Sequence, residues 1–194
     1  TIDAYDEVAQ QIAALKPQTI VVTSPHATAY RDYFHISPGS SAQGDMRRFD
    51  ARDTDLSCRY DTELANRIST LAASEDFPAG TEGERDPSID HATYIPLYFI
   101  NKFYQDYEVV RIGLSGYGPM EHYHLGQLIT QAADQLDRRV VLVASGDLSH
   151  KLKEDGPYGF VKEGPVFDEA VTEDLSKADF LSLLTISPDL AECA

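Results

Sequence analysis

Thr19-Ile-Val-Val-Thr-Ser-Pro-His26 and Val140-Val-Leu-Val-Ala-Ser-Gly-Asp-Leu-Ser-His150 are the two stretches whose reading decides the fold. Each is an apolar run rich in β-branched residues that passes through small residues and ends on a histidine. In open α/β sheets, ligands bind outside the carboxyl ends of the strands. A chain that twice drives a buried strand outward and delivers an imidazole at its end marks a candidate site there.

The sequence around these runs supplies helices. Ile2, Val8, Ile12 and Leu15 recur at roughly helical spacing, and Pro17 closes that helix before the first strand. Asp61 to Ala73 reads as an amphipathic helix with Leu64, Ile68 and Leu71 on one face. Tyr107 to Leu114 predicts a second strand, Glu121 to Leu136 a helix after Gly116-Tyr-Gly-Pro119, and Arg139 to Ala144 a third strand. Gly156-Pro157 and Gly164-Pro165 punctuate a loop, and from about Val166 the remainder reads as helices. Residues 24 to 57 read as a long irregular excursion, and loops of that length inside compact domains are often functional. Pro78-Ala-Gly-Thr-Glu-Gly83 reads as a loop. Ile89 to Ile100 is apolar, but Pro96 favours a kinked helix or an edge segment over a central strand. Strands alternating with helices predict an α/β fold, a three-layer sandwich whose mostly parallel central sheet carries helices on both faces.

Composition narrows the function classes. At 194 residues, 42% hydrophobic and 25% charged, the chain has the make-up of one globular domain with a sizeable core. No apolar run reaches the length of a membrane span, and the start does not resemble a signal peptide. Thirty-two acidic against sixteen basic residues give a formal charge of −16, which argues against nucleic acid as a partner. Cys58 and Cys193 are too few and too far apart for a disulfide framework, which suggests a reducing compartment and a cytoplasmic location. The chain opens on Thr1 directly into helical periodicity and stops at Ala194. We expect a single domain over residues 1–194 that is a fragment lacking an N-terminal strand and a C-terminal segment.

Several residues invite a chemical reading. His150 follows Gly146, which lets the backbone turn, and an imidazole there suits proton transfer; it fits a strand-end packing role as well. His26 follows Pro25, whose fixed backbone can aim a metal ligand, or it is a structural histidine. Asp90-His91 at a helix start either binds substrate through the imidazole or caps the helix through the aspartate. His122 and His124, two apart, do not share a helix face, which disfavours a paired metal site. His35 reads as a strand residue. Gly113-Leu-Ser115-Gly-Tyr117 misses the nucleophile-elbow pattern by one glycine. Ser145, Asp147 and His150 have hydrolase-like residue types, but crowding into six positions does not make a triad.

Ser24-Pro-His26, Asp32-Tyr-Phe-His-Ile-Ser-Pro-Gly39, Pro78-Ala-Gly-Thr81, Asp90-His91, Pro96-Leu-Tyr-Phe-Ile100, Arg111-Ile-Gly-Leu-Ser115, His122-Tyr123 and Ser145-Gly-Asp-Leu-Ser-His-Lys-Leu-Lys153 occur in the order of one family's pattern. Over nearly its whole length the chain resembles the class III extradiol ring-cleavage dioxygenase superfamily, in its B-type subunit. The branch it is most similar to is that of the Memo-like proteins of the AmmeMemoRadiSam system, which are often fused to an AMMECR-type domain.

The resemblance implies a non-haem Fe(II) held by two histidines and one glutamate, with open positions for a catechol-like diol and O₂. Zinc and copper also accept imidazole. By residue matching, His26 resembles the second histidine ligand, His150 the acid/base, and His91 a substrate- or oxygen-side histidine. Ala191-Glu192-Cys193 resembles the branch's Ala-Glu-Cys pattern, which makes Glu192 the expected carboxylate ligand. The first histidine ligand of the family lies before the position of Thr1. The resemblance leaves open a second role, that of a non-catalytic binding or adaptor domain that keeps the fold. The implied partners are a small aromatic substrate with O₂, and a fused or separate AMMECR-type domain.

Overall fold

A computed structural model of the chain describes residues 1–51 and 54–194. Two compact units divide it, residues 1–146 and residues 147–194.

The first unit begins with helix α1 (Ile2–Leu15), which leads through Pro17 into strand β1 (Thr19–Ser24). Next come β2 (Phe34–His35), β3 (Ser41–Gly44), β4 (Leu56–Arg59), helix α2 (Thr62–Ser74) and β5 (Ala79–Gly80). Helix α3 (His91–Asn101), β6 (Glu108–Gly113), α4 (Pro119–Gln135) and β7 (Val140–Ala144) complete it. The three longest strands make a parallel sheet in the order β6-β1-β7, with Thr19 opposite both Glu108 and Val140.

Strand alternation sorts the side chains of this sheet into two cores. Val21, Val110 and Ile112 pack with Leu64, Ile68, Leu125 and Leu128 of α2 and α4. Ile20, Val22 and Val109 pack on the other face with Ile12, Leu97 and Ile100 of α1 and α3. The parallel sheet is therefore covered by helices on both faces, the three-layer arrangement expected from the apolar runs. Asp61 anchors the near end of this assembly. Its buried carboxylate caps α2 at the Leu64 amide, accepts from Thr19 Oγ1 at 2.5 Å and meets Arg138 at 2.6 Å.

Three sequence expectations need correction. Residues 24–57 are not irregular throughout. Strands β3 and β4 pair antiparallel, and β2 pairs in parallel with β5, inside the segment read as a loop over 78–83. These strands are two to four residues long, too short to display a period, and they hold together through distant backbone partners. The last helical stretch also begins earlier than Val166, because Pro165 lies in the first turn of its helix, where a missing N–H costs nothing.

The Ile89 to Ile100 segment resolves as helix α3 with Pro96 inside it. A proline there leaves the carbonyl four residues back, that of Ala92, without its helical donor. Ser145, just past the end of β7, supplies the replacement: its Oγ donates to the Ala92 oxygen at 2.7 Å. Helix α3 tolerates its proline because a strand end satisfies the group it strands.

The second unit contains α5 (Glu163–Ser176), α6 (Phe180–Leu184) and α7 (Pro188–Cys193). Of its residues only Gly164 is buried, at a point where a Cβ would crowd Ser149 Oγ and the Lys151 carbonyl. Among the described residues, no helix is long and apolar enough to cross a membrane.

Candidate active site

The carboxyl end of β1 and the first turn of α3 are joined by one serine. Ser24 Oγ donates to Asp90 Oδ1 at 2.6 Å and accepts the backbone N–H of His26 at 3.1 Å. Asp90 in turn caps α3, taking the Thr93 amide at 3.0 Å on Oδ1 and the Thr93 hydroxyl at 2.8 Å on Oδ2. The aspartate beside His91 is therefore a helix cap, and His91, the first residue of the helix, lines the cleft. The strand exit and the helix start together bring His26 and His91 side by side, ring centroids 4.1 Å apart and tilted by 38°.

A buried cation stands behind this junction. Arg111, in the middle of β6 and 1% exposed, donates from Nε to Ser37 Oγ at 2.7 Å and from its two terminal nitrogens to the carbonyls of Ser88 and Asp86. Its Nη2 lies 3.4 Å from Glu84 and its Nη1 3.8 Å from Asp90. A buried guanidinium needs this many acceptors to offset desolvation. Glu84 also meets the buried His35, whose Nε2 is 3.2 Å away, and accepts from Thr28 Oγ1 at 2.7 Å. Burial pushes the Glu84 carboxyl up, but Thr28, His35 and the Asp86 amide outweigh that and hold it below the usual carboxylate range. His35 is the strand residue its sequence suggests, in β2.

A cleft of about 690 Å³ opens over the two histidines. Gly44 forms part of its wall, and a Cβ there would collide with the Ile89 carbonyl, so β3 lies hard against the segment that leads into α3. The 3₁₀ turn Arg47–Phe49 supplies another wall. Phe49 meets the His91 ring edge-on at 5.2 Å, and Arg48 Nη2 lies 2.5 Å from His91 Nδ1. A guanidinium only donates, so Nδ1 is the acceptor and the proton of the neutral ring sits on Nε2.

The other expected site residues belong to the second unit. His150 is exposed, with Nε2 3.6 Å from Asp147 Oδ2 and its ring 5.3 Å edge-on from Tyr158. Glu192 lies on α7. The flanking residues tie these two segments together: Ser149 Oγ donates to the Ala194 oxygen at 2.5 Å, and Lys151 Nζ to the Cys193 oxygen at 2.7 Å. Ser145 gives its hydroxyl proton to Ala92, which leaves no nucleophile–base pair of the hydrolase kind at that position. His122 and His124 have separate partners, the Gly118 carbonyl and Glu75. Cys58 is half-buried with its thiol pushed up to about 11 by burial, so it is not a thiolate at neutral pH.

Imidazoles suit Fe(II), and His26 and His91 provide two. Among the described residues, however, no group of three or more His, Cys, Asp and Glu side chains is placed to hold a metal ion. The residues described therefore do not by themselves complete a two-histidine, one-carboxylate centre.

Residues 1–194 match the family described as the catalytic LigB subunit of aromatic ring-opening dioxygenase. The chain belongs to the LigB family. It is 32% identical to a protein of Clostridium acetobutylicum over 97% of its own length and 42% of that protein's. It is 22% identical to 3,4-dihydroxyphenylacetate 2,3-dioxygenase of Escherichia coli, covering 98% of this chain and 73% of the enzyme. A MEMO1 family protein of Thermococcus onnurineus is 28% identical over 75% of the chain and 45% of its own length. The LigB-family chain thus spans less than half the length of two of these relatives.

Sequence reasoning missed Ser24, Arg48 and Arg111. One signal was available for Arg111, a charge in the middle of the apolar strand Val109-Val110-Arg111-Ile112. Ser24 stands in the Ser24-Pro-His26 stretch but nothing local gives it a role, and no local pattern marks Arg48.

Proposed function

We propose that this LigB-family chain is a metal-dependent extradiol-type dioxygenase domain that opens catechol-like aromatic diols with O₂, with Fe(II) as its ion. The observation that carries this reading is the His26–His91 pair, side by side at the carboxyl end of the central strand and lining a cleft. In this reading His26 is a metal ligand and Glu192 the carboxylate ligand. His91 stands on the substrate or oxygen side. His150, exposed beside Asp147, moves the protons. The ion would bind the diol and O₂ together, and the chain's own residues would orient the ring and exclude water.

A second reading is a non-catalytic, Memo-like binding domain. It is supported by the likeness to a MEMO1 family protein.

Metal content after anaerobic purification, beside His26→Ala, separates the two. Near-stoichiometric iron that falls away in the variant, with oxygen consumed on adding a catechol, supports the dioxygenase. No iron and no oxygen uptake in either protein supports the binding domain. His150→Ala should retain iron and lose turnover; full activity would remove His150 from its role.

A further inference from the structure

Arg111 lies in the middle of β6, opposite Val22 of β1, where a buried parallel strand calls for an apolar side chain. Its guanidinium reaches residues 84–90, the strap that follows β5 and delivers His91 at the start of α3. That strap has neither helix nor strand to hold it. One group nevertheless gathers it. The Glu84 carboxylate, the Asp86 carbonyl, the Ser88 carbonyl and the Asp90 carboxylate all meet Arg111, at alternate positions along the strap. Asp86, Ser88, Ile89, Asp90 and His91 line the cleft.

Fixing an irregular backbone costs conformational entropy at every residue, so the placement of such a segment depends on tertiary anchors. A guanidinium supplies five N–H donors in a rigid plane, a reach that the single nitrogen of a lysine lacks. The plane is itself held from behind. Arg111 Nε donates to Ser37 Oγ at 2.7 Å, and the Arg111 carbonyl accepts the Ser37 amide at 2.9 Å. The strap is also tied to β3, where the Ile89 amide donates to the Gln43 carbonyl at 3.0 Å.

We propose that Arg111 is a positioning residue for His91: by clamping every second residue of the strap from 84 to 90, it fixes where the first residue of α3 presents its ring to the cleft and to His26. Arg111 does not line the cleft and acts through the strap. Its effect on turnover rests on the dioxygenase reading; the placement of the ring does not.

The test is read in the metal-free protein through the nuclear Overhauser contact between the ring protons of His26 and His91, whose centroids are 4.1 Å apart. Arg111→Lys keeps the charge but loses the fork, and the contact should be lost. Leu128→Ala, a disruptive change in the core on the opposite face of the sheet, should keep it. A contact that survives in Arg111→Lys, or that Leu128→Ala also loses, overturns the proposal. If circular dichroism shows that Arg111→Lys does not fold, Ser37→Ala decides. Ser37 holds Arg111 Nε and does not line the cleft. A shift of the His91 ring protons with those of His124 unmoved supports the clamp, and unmoved His91 protons overturn it.

Where a catechol drives oxygen uptake, Arg111→Lys should slow turnover, and adding it to His91→Ala should slow the reaction no further. An additional fall in the double variant would give Arg111 a separate role and overturn the proposal. Failure of every diol to drive oxygen uptake would sink the ring-cleavage reading alone and leave the ring-contact result standing.

Discussion

The exits of β1 and β7 are written in nearly the same way, yet they are built differently. Both strands are β-branched runs leading to a serine, and both serines reach the first turn of α3. Strand β1 is central, with Ile20, Val21 and Val22 fully buried between two layers of helices. Strand β7 pairs on one side with β1, and Leu142, which lies opposite Val21, is 53% exposed. Ser24 binds a charged side chain that caps a helix, whereas Ser145 binds a carbonyl that a proline has released. Position in the sheet, rather than local sequence, decides how rigidly a strand holds the residues at its exit.

The largest test of that contrast is in the strands. Ile20→Ala should cost about 2–5 kcal/mol in urea unfolding, as for a fully buried branched side chain. Leu142→Ala should stay within about 0.5 kcal/mol, the range of surface changes. Equal losses would show that β7 is as firmly packed as β1.

The serines come next. Ser24→Ala strips a donor from the part-buried Asp90 and should cost about 1–3 kcal/mol, with a change in the ring-proton resonances of His26 and His91. Ser145→Ala should cost about 1 kcal/mol or less. In a Pro96→Ala background the restored residue-96 amide can reach the Ala92 carbonyl, so the Ser145 effect should shrink towards zero. An undiminished effect in the double-mutant cycle would break the link between the proline and the serine.

The smallest effect concerns the charges behind the β1 exit. The Glu84 carboxyl is held below its ordinary range in the folded protein. The stability this contributes is fully present above the ordinary carboxylate pKa, about 4.3. It is lost as pH falls through the lowered value. Glu84→Gln should flatten that part of the acid limb of the stability curve; an unchanged slope would assign the acid sensitivity to other carboxylates.

The sheet was legible in the sequence because its strands read as unbroken apolar runs rich in β-branched residues. The pairing of Phe34 and His35 with Ala79 and Gly80 was not, since two residues show no period. His26 and His91 stood out by lying at the ends of elements. What brings them together did not, because Ser24 and Asp90 are 66 positions apart and a single distant hydrogen bond leaves no local trace. Pro96 was visible as a helix problem, but its solution lies 49 residues later, at Ser145.

The strand that is central in space comes first of the three in the chain. Its partners lie about 90 and 120 residues downstream. At roughly 5–20 residues per second of synthesis, several seconds to about 25 seconds pass before both have been made. During that interval Ile20, Val21 and Val22 lack at least one of these two partners, and they present the apolar, strand-forming kind of segment that chaperones hold and aggregates recruit. The yield of folded protein in a cell should therefore depend on how quickly translation reaches β7, a sensitivity set by strand order alone.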